Sequence, residues 1–369
     1  MTWPGGSGDQ QMNIAALRRL ALLRAFPSPL PLGRAIELAG FVQADPIRAP
    51  ARAQDLILRH RAVGYRAGDL ERRYARLALE EGYLYAYGFM PSSVQSLLLP
   101  RHDPDGPGGR FVPAGLTAEV LAFVRDQGPT HPASLEAHFG ATQEVNGWGG
   151  LSKATTRSLQ MLLHHGLVRV ARRDKGVRVY EARPEPQTEL SPEARLERLM
   201  LSIVALLAPV PAATLVSATA HLRQSVTGPR ARHDAIAALT RSGALETEVV
   251  DGIRYFWPAG AGFSGRIPGG VRFLAPFDPL VWDRRRFEHL WGWPYRFEAY
   301  TPPAKRRLGY YAMPLLWRSD VIGWVNCNQV AGRLDLKAGF IARKPGPDFR
   351  RGFDAEVARM EAFLEARQQ

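Results

Sequence analysis

The chain has a single cysteine, Cys327, among 369 residues. No disulfide can form within it, which excludes the disulfide-stapled secreted classes and fits a reducing cytoplasm. The opening stretch "MTWPGGSGDQQMN" lacks a basic segment followed by an apolar one. It reads as a flexible tail over residues 1–12, not a secretory signal. Long charge-free runs are scarce. One, "LMLSIVALLAPVPAATLVSATA" from Leu199 to Ala220, is interrupted by Pro209 and Pro211. Each half is too short to span a bilayer, so two packed helices joined by a proline turn are expected. Walker loops, nucleophile elbows and deaminase-type zinc signatures are absent, and "GGSG" and "GGLSK" have no phosphate-loop spacing. His164 and His165 have no spaced Cys or His partner and read as exposed helix-end histidines. "HDPDG" at His102–Gly106 lacks the later ligands of a calcium loop and reads as linker. No cofactor and no metal are expected.

Acidic side chains are in deficit: 35 Asp and Glu against 48 Lys and Arg, a formal charge of +13. Such an excess favours a polyanionic partner, either nucleic acid or an anionic membrane surface. A basic, arginine-rich background composition is the bland alternative. Hydrophobic content of 46% is enough to build real cores, and the length suggests two to four domains.

What is present is a repeat. "SKATTRSLQMLLHHGLVRVARRDKGVRVYEARP" opens on Ser152 as a helix N-cap, and Leu159, Leu162 and Leu163 follow at helical spacing. Gly166 stops the helix. A strand, a turn at Asp174-Lys175-Gly176 and a second strand come next. With "TAEVLAFVRDQG" and "HPASLEAHFG" upstream, the order is helix, helix, helix, hairpin, that of a winged-helix domain. The pattern returns in "RHDAIAALTRSGALETEVVDGIRYFWPAG", with a turn at Asp251-Gly252 and the proline-broken segment as its earlier helices. A divergent third copy is read in the first hundred residues, with "RAQDLILRHRAVGY" and "AGDLERRYARLALEEG" as helices. From Phe263, short runs such as "RFEAYTP", "LGYYAMPLL" and "VIGWVNCNQV" look like strands of a small β-rich domain, sheet or barrel. "DAEVARMEAFLEARQQ" is a terminal helix. The expected class is α+β, mainly α. Expected boundaries are 13–112, 113–185, 190–262, 263–346 and a C-terminal helix in 347–369.

Basic residues cluster on this frame. Lys153, Thr155, Thr156 and Arg157 lie near the start of the presumed recognition helix, and Arg172, Arg173 and Lys175 at the wing tip, where winged helices meet phosphates or base edges. The solvated charged face is the alternative. Glu246, Glu248 and Asp251 in the later wing point to packing against protein instead. Lys305, Arg306 and Arg307 sit beside Tyr310 and Tyr311, a mixture that suits nucleic acid, although aromatics in a β domain also serve as core.

One polar pair is out of place. In "GFVQADPIRAP", Gly40 to Pro50, an extended chain puts Gln43 and Asp45 on one side, about 6.5 Å apart, able to flank a small molecule such as water. The structural alternative has Asp45 capping the next helix and Gln43 bonding backbone. Arg48 and Arg52 just beyond are added as DNA contacts.

Three blocks, "GFVQADPIRAPARAQDLILRHR", "NGWGGLSKATTRSLQMLLHHGLVRVARRDKGVRVYEA" and "LAPFDPLVWDRRRFEHLWGWPYRFEAYTPPAKRRLGYYAMPLL", resemble the YcaQ/AlkZ-like family of bacterial winged-helix DNA glycosylases. The resemblance runs over roughly residues 12 to 345, and the block from Leu274 to Leu316 is its most specific part. It implies three tandem winged-helix domains and a small β-barrel forming a C-shaped clamp on DNA. It also implies excision of N-alkylated purines and unhooking of interstrand crosslinks. The family's catalytic signature is Gln, an apolar residue, then Gln or Asp, which is Gln43-Ala44-Asp45 here. Ala44 is smaller than the usual middle residue. Asp45 is then the expected general base and electrostatic stabiliser, and Gln43 the group that positions water. The expected protein is a monofunctional, cofactor-free monomer, cytoplasmic and nucleoid-associated. Its expected partner is alkylated or crosslinked double-stranded DNA, with no membrane. The reading from another class is a non-catalytic winged-helix transcription regulator.

Overall fold

A computed structural model describes residues 12–365, apart from 104, 106–108, 146–150, 185–189, 226–230, 268, 331–332 and 342–345. The expected tail, Met12 excepted, and the "NGWGG" stretch lie outside the described residues, as does part of each expected linker. Helix exceeds strand, 45% against 23%.

The N-terminal part begins with α1 (Ile14–Ala25), whose first turn is capped by Asn13 accepting the Ala16 N–H at 3.0 Å. In α2 (Leu32–Ala39), Leu32, Ala35 and Ile36 are buried, and Gly40 at φ 72° ends the helix. That left-handed residue turns the chain directly into β1 (Val42–Gln43). Next come α3 (Ala53–Leu58), α4 (Asp69–Arg73), β2 (Leu79–Tyr83), β3 (Tyr87–Pro91) and α5 (Ser92–Leu98). The sheet order is β1-β3-β2, all antiparallel. Two expected helices are corrected. "RAQDLILRHRAVGY" is helical for six residues only, because Arg59, His60 and Arg61 turn away to bind the C-terminal part. "LALEEG" is extended, since Glu80 and Glu81 are buried against arginines of the next segment and a helix would point them elsewhere.

The second segment holds α6 (Gly115–Gln127), α7 (Pro132–Phe139), β4 (Gln143–Val145), β5 (Leu151–Lys153), α8 (Ala154–His164), β6 (Val168–Asp174) and β7 (Val177–Ala182). Leu159, Leu162 and Leu163 are buried, as their spacing predicts. The N-cap of α8 is Lys153, not Ser152, which belongs to β5. Lys175 and Gly176 both have positive φ, 51° and 86°, the signature of a type I′ hairpin turn. The third segment holds α9 (Pro192–Leu207), β8 (Val210–Pro211), α10 (Ala212–Ala218), α11 (Ala231–Arg241), β9 (Leu245–Val250) and β10 (Ile253–Pro258). The charge-free stretch is therefore two helices with a proline break. Asp251 and Gly252 repeat the tight turn at φ 49° and 76°.

Strand pairing repeats with the helices. Sheet order β8-β10-β9 matches β1-β3-β2, with the last strand central each time. In the second segment the bridge Thr130↔Tyr180 takes the place of the short first strand.

The C-terminal part contains β11 (Val271–Phe273), α12 (Pro279–Trp282), α13 (Arg284–Trp291), β12 (Met313–Trp317), β13 (Asp320–Val330), β14 (Arg333–Phe340) and α14 (Pro347–Leu364). Its sheet is open, β11-β12-β13-β14, and no closed barrel is formed by the described residues. "RFEAYTP" is loop, not strand, and "LGYYAMPLL" becomes extended only from Met313.

One hydrophobic core joins Val42 and Leu56 with Leu159 of α8 and with Met313 and Val325 of the C-terminal sheet. Ion pairs lock the same junction. Arg61 makes two bonds to Asp278, at 2.7 and 2.9 Å, with both side chains buried. Arg59 pairs with Glu356, which also accepts the Phe273 N–H at 3.0 Å. His60 contacts the Phe273 carbonyl at 3.1 Å, and burial, helped by the charge of Arg59, keeps its ring neutral. No helix among the described residues is long and apolar enough to cross a membrane.

Candidate active site

The motif strand is short because Asp45 ends it. Asp45 Oδ1 accepts the Ile47 N–H at 2.9 Å, a local turn that its position before Pro46 favours. The Ala44 N–H donates to the Tyr87 carbonyl at 2.9 Å and so continues the pairing with β3 by one more bond. Opposite Gln43 stands Gly88. A side chain there would come within 2.3 Å of the Val42 carbonyl oxygen and 2.5 Å of the Phe41 ring, so only glycine lets β3 lie this close.

This geometry tests the structural alternative for the pair. α3 begins at Ala53, and its N-cap is Arg52, so Asp45 caps no helix. Gln43 is buried, yet its Oε1 has no hydrogen-bond partner among the described residues. A buried polar atom left so is uncommon and calls for a reason. The Asp45 carboxyl is half-buried. Burial raises its pKa above the usual carboxylate value, and the Ile47 N–H partly offsets this.

Two tyrosines distant in the sequence lie within range of the Asp45 charge. Tyr311 is buried in the core that holds Val42 and touches Ala44 and Ile47. Its hydroxyl has no partner among the described residues. Burial pushes that hydroxyl well above its normal pKa, and the Asp45 charge pushes it further. Tyr300 is 77% exposed. Its pKa is raised by desolvation, then by Asp45 and Tyr310. Phe297 backs both rings, edge-on, at 5.3 Å from Tyr311 and 6.0 Å from Tyr300. The loop that carries them is tightly held. Glu298 Oε2 accepts the N–H groups of Arg307, Leu308 and Gly309 at 2.8, 2.7 and 3.3 Å. Asn326 donates to the Leu308 carbonyl at 2.7 Å and accepts the Tyr311 N–H at 3.2 Å.

The basic residues expected to face DNA divide into two groups. Arg48, Lys153, Arg157, Arg172, Lys175, Lys305 and Arg307 are exposed. Arg172 chelates Asp174 at 3.0 and 3.1 Å, and Lys153 pairs with Glu136. Arg306 is half-buried, donating to the Thr301 carbonyl at 2.8 Å and lying 5.0 Å over the Tyr310 ring. Thr156 is half-buried. Arg52 is half-buried and paired with Glu71. Two expectations are corrected. Thr155 is buried and cannot reach a groove. Arg173 points inward, with two bonds to buried Glu81 at 2.7 and 2.6 Å. The body of the β6–β7 hairpin is thus bound to the first segment, with Arg178 also 3.2 Å from Glu81 and 4.5 Å over the Tyr87 ring. Its tip lies close to Arg52, whose guanidinium would be 3.3 Å from a side chain at Gly176. Lys175, beside Gly176 at that tip, is exposed. In the acidic later wing, Glu246 accepts from the Trp257 ring N–H at 2.6 Å and the Gly260 N–H at 3.0 Å, and Asp251 meets His289 at 3.2 Å.

A cavity of about 380 Å³, lined by Ala21, Phe41, Ile57 and Arg286 among others, does not include Gln43 or Asp45. Among the described residues no three His, Cys, Asp or Glu side chains are grouped to hold a metal ion.

The described residues form a mixed α/β protein with a half-buried carboxylate at the end of β1. The structure is similar to that of DNA glycosylase AlkZ from Streptomyces sahachiroi, with a TM-score of 0.62 over 96% of this chain and 97% of that one. At 14% identity the likeness speaks for the fold. Residues 36–363, which include the Gln43-Ala44-Asp45 motif, match the family described as AlkZ-like, DNA glycosylase AlkZ-like, and the chain belongs to it.

Proposed function

We propose that this chain is a monofunctional repair glycosylase that hydrolyses the N-glycosyl bond of N-alkylated purines, N7-alkylguanine above all, and unhooks interstrand crosslinks built on that lesion. One observation carries the reading: a half-buried carboxylate, raised in pKa, two residues from a buried Gln43 whose Oε1 has no partner among the described residues. Such a carboxylate is a stronger base than one on the open surface.

The chemistry needs little more. N7-alkylation leaves the purine cationic. When the C1′–N9 bond breaks, its electron pair goes to N9 and neutralises the ring, so the base leaves without a general acid. Positive charge develops on the sugar, and Asp45 stabilises it. As the water oxygen bonds to C1′, Asp45 takes one of its protons, while Gln43 Oε1 accepts a hydrogen bond from the other. The products are a free base, an abasic site and a protonated Asp45.

Residues 13–112, 113–185 and 190–262 are read as three winged-helix units, supported by the strand order common to the first and third. With the β-rich part 263–346 and the C-terminal helix they form a clamp on double-stranded DNA. The exposed basic residues supply phosphate contacts. The protein acts as a monomer at the nucleoid of a bacterial cytoplasm.

The test compares wild type with Asp45→Asn on duplex DNA carrying N7-methylguanine or a nitrogen-mustard crosslink. Wild type is expected to release the base and leave a strand that breaks only on alkali treatment. Full cleavage by Asp45→Asn overturns the assigned role, and no cleavage of any alkylated duplex by wild type overturns the enzyme reading.

A further inference from the structure

β1 is the edge strand of its sheet, with β3 on one side only. Backbone N–H groups alternate in direction along such a strand. That of Ala44 points inward and meets the Tyr87 carbonyl at 2.9 Å. That of Asp45 therefore points outward, where no strand receives it. A side chain does so instead: Gln54 Oε1 accepts the Asp45 N–H at 3.4 Å. Gln54 is the second residue of α3 and only 3% exposed, in a helix buried along its whole length. Its neighbour Asp55 accepts the Tyr65 hydroxyl at 2.7 Å and the Gly68 N–H at 2.9 Å, which fixes the start of that helix. Pro46 has no N–H to offer, and the Ile47 N–H is taken by Asp45 itself. Among the described residues, the Gln54 contact is the one hydrogen bond that holds the Asp45 backbone to another element.

We propose that Gln54 is a positioning residue for base release: its amide stands in for a neighbouring strand on the open edge of β1 and fixes the backbone from which the Asp45 carboxylate projects. The inference rests on the hydrolytic reading of Asp45. The bond from Ile47 to Asp45 Oδ1 lies within the motif loop, so it ties the carboxylate to the loop and not to the rest of the fold. A swing of the backbone at Asp45 carries the carboxylate and its turn together. The bond to Gln54, on a buried helix, opposes that swing. A shift of about 1 Å in a reacting group costs roughly 100-fold in rate. An apolar side chain of the same length would fill the same space and leave the Asp45 N–H to water, which half-buried Asp45 can meet. The fold then survives the loss, while the aim of the carboxylate does not.

Gln54→Met keeps the length of the side chain and removes the amide. Single-turnover release of N7-methylguanine from a saturating duplex is expected to fall roughly tenfold or more, with the DNA dissociation constant unchanged. Hydrogen exchange at the Asp45 amide, read by NMR of protein labelled with nitrogen-15 aspartate and leucine, is expected to quicken roughly tenfold. The Leu56 amide of α3, bonded to the Arg52 carbonyl at 3.0 Å, keeps its protection. Wild-type release by the variant overturns the proposal. So does an Asp45 amide that exchanges in the wild type as fast as an exposed one, a result that needs no variant. Equal loss of protection at Asp45 and Leu56 makes Gln54 a support of the fold alone and overturns the proposal as well. If Asp45→Asn is inactive while Gln54→Met releases base normally, only this inference falls. If Asp45→Asn cleaves like wild type, the hydrolytic reading falls and takes this inference with it.

Discussion

At Asp45, stability and chemistry pull in opposite directions. Burial raises its pKa above the unfolded value, so the ionised form is the less stable one in the fold. The carboxylate therefore lowers stability at pH above its folded pKa, and that loss vanishes as pH falls below the unfolded pKa. Asp45→Asn keeps an acceptor for the Ile47 N–H and removes the charge. Base release by this variant is expected to drop about 100-fold or more, while its melting temperature at pH 7 holds or rises by roughly a few degrees. Calorimetry alongside a base-release assay checks both. Wild-type activity should be lost as pH falls through the raised Asp45 pKa. At this scale the sequence was legible for the motif, since a Gln and an Asp two residues apart in an apolar strand are conspicuous. The influence of the Asp45 charge on Tyr311 was not legible. It depends on how the C-terminal loop docks, and nothing local encodes that.

Among the elements, the β6–β7 hairpin joins two roles. Its tip is exposed at Lys175, but its body is fastened to β2 through Arg173 and Arg178 on Glu81. Replacing one partner of a buried pair leaves the other charge stranded. Glu81→Gln is expected to destabilise by about 3–5 kcal/mol in denaturant titrations, whereas Arg172→Ala, at an exposed pair, should change stability by about 0–1 kcal/mol. A separate outcome concerns DNA. Lys175→Ala should reduce the slope of log affinity against log salt by about one, measured by fluorescence anisotropy on a random duplex, because Lys175 is exposed at the hairpin tip. An unchanged slope would remove Lys175 from the DNA path. The hairpin itself was readable from Asp174-Lys175-Gly176, a turn in which two residues must adopt positive φ. Which of its arginines face inward was not, because alternate residues of a strand look alike until a second sheet supplies the carboxylates.

In the whole molecule, the N-terminal and C-terminal parts are joined where Arg59, His60 and Arg61 reach across to Glu356, Phe273 and Asp278. Asp278 also caps α12 through the Leu280 N–H at 3.0 Å. Asp278→Ala is therefore expected to strand the Arg61 charge, cost about 3–5 kcal/mol and lower base release as the packing between the N-terminal and C-terminal parts loosens. Chemical unfolding and a turnover assay would show the two losses together. Normal turnover with the stability loss would show that the junction holds the fold but not the site. The sequence alone determined the repeat of helices and hairpins, the two tight turns and the Gln43-Ala44-Asp45 pair, because these depend on spacing and on residues a few positions apart. Tertiary structure alone decided that Thr155 and Arg173 turn inward, that Glu80 and Glu81 lie in a strand, and that Arg59 and Arg61 pair with Glu356 and Asp278. Each of those depends on burial and charge pairing between segments far apart in the chain, and such contacts form only once the segments pack.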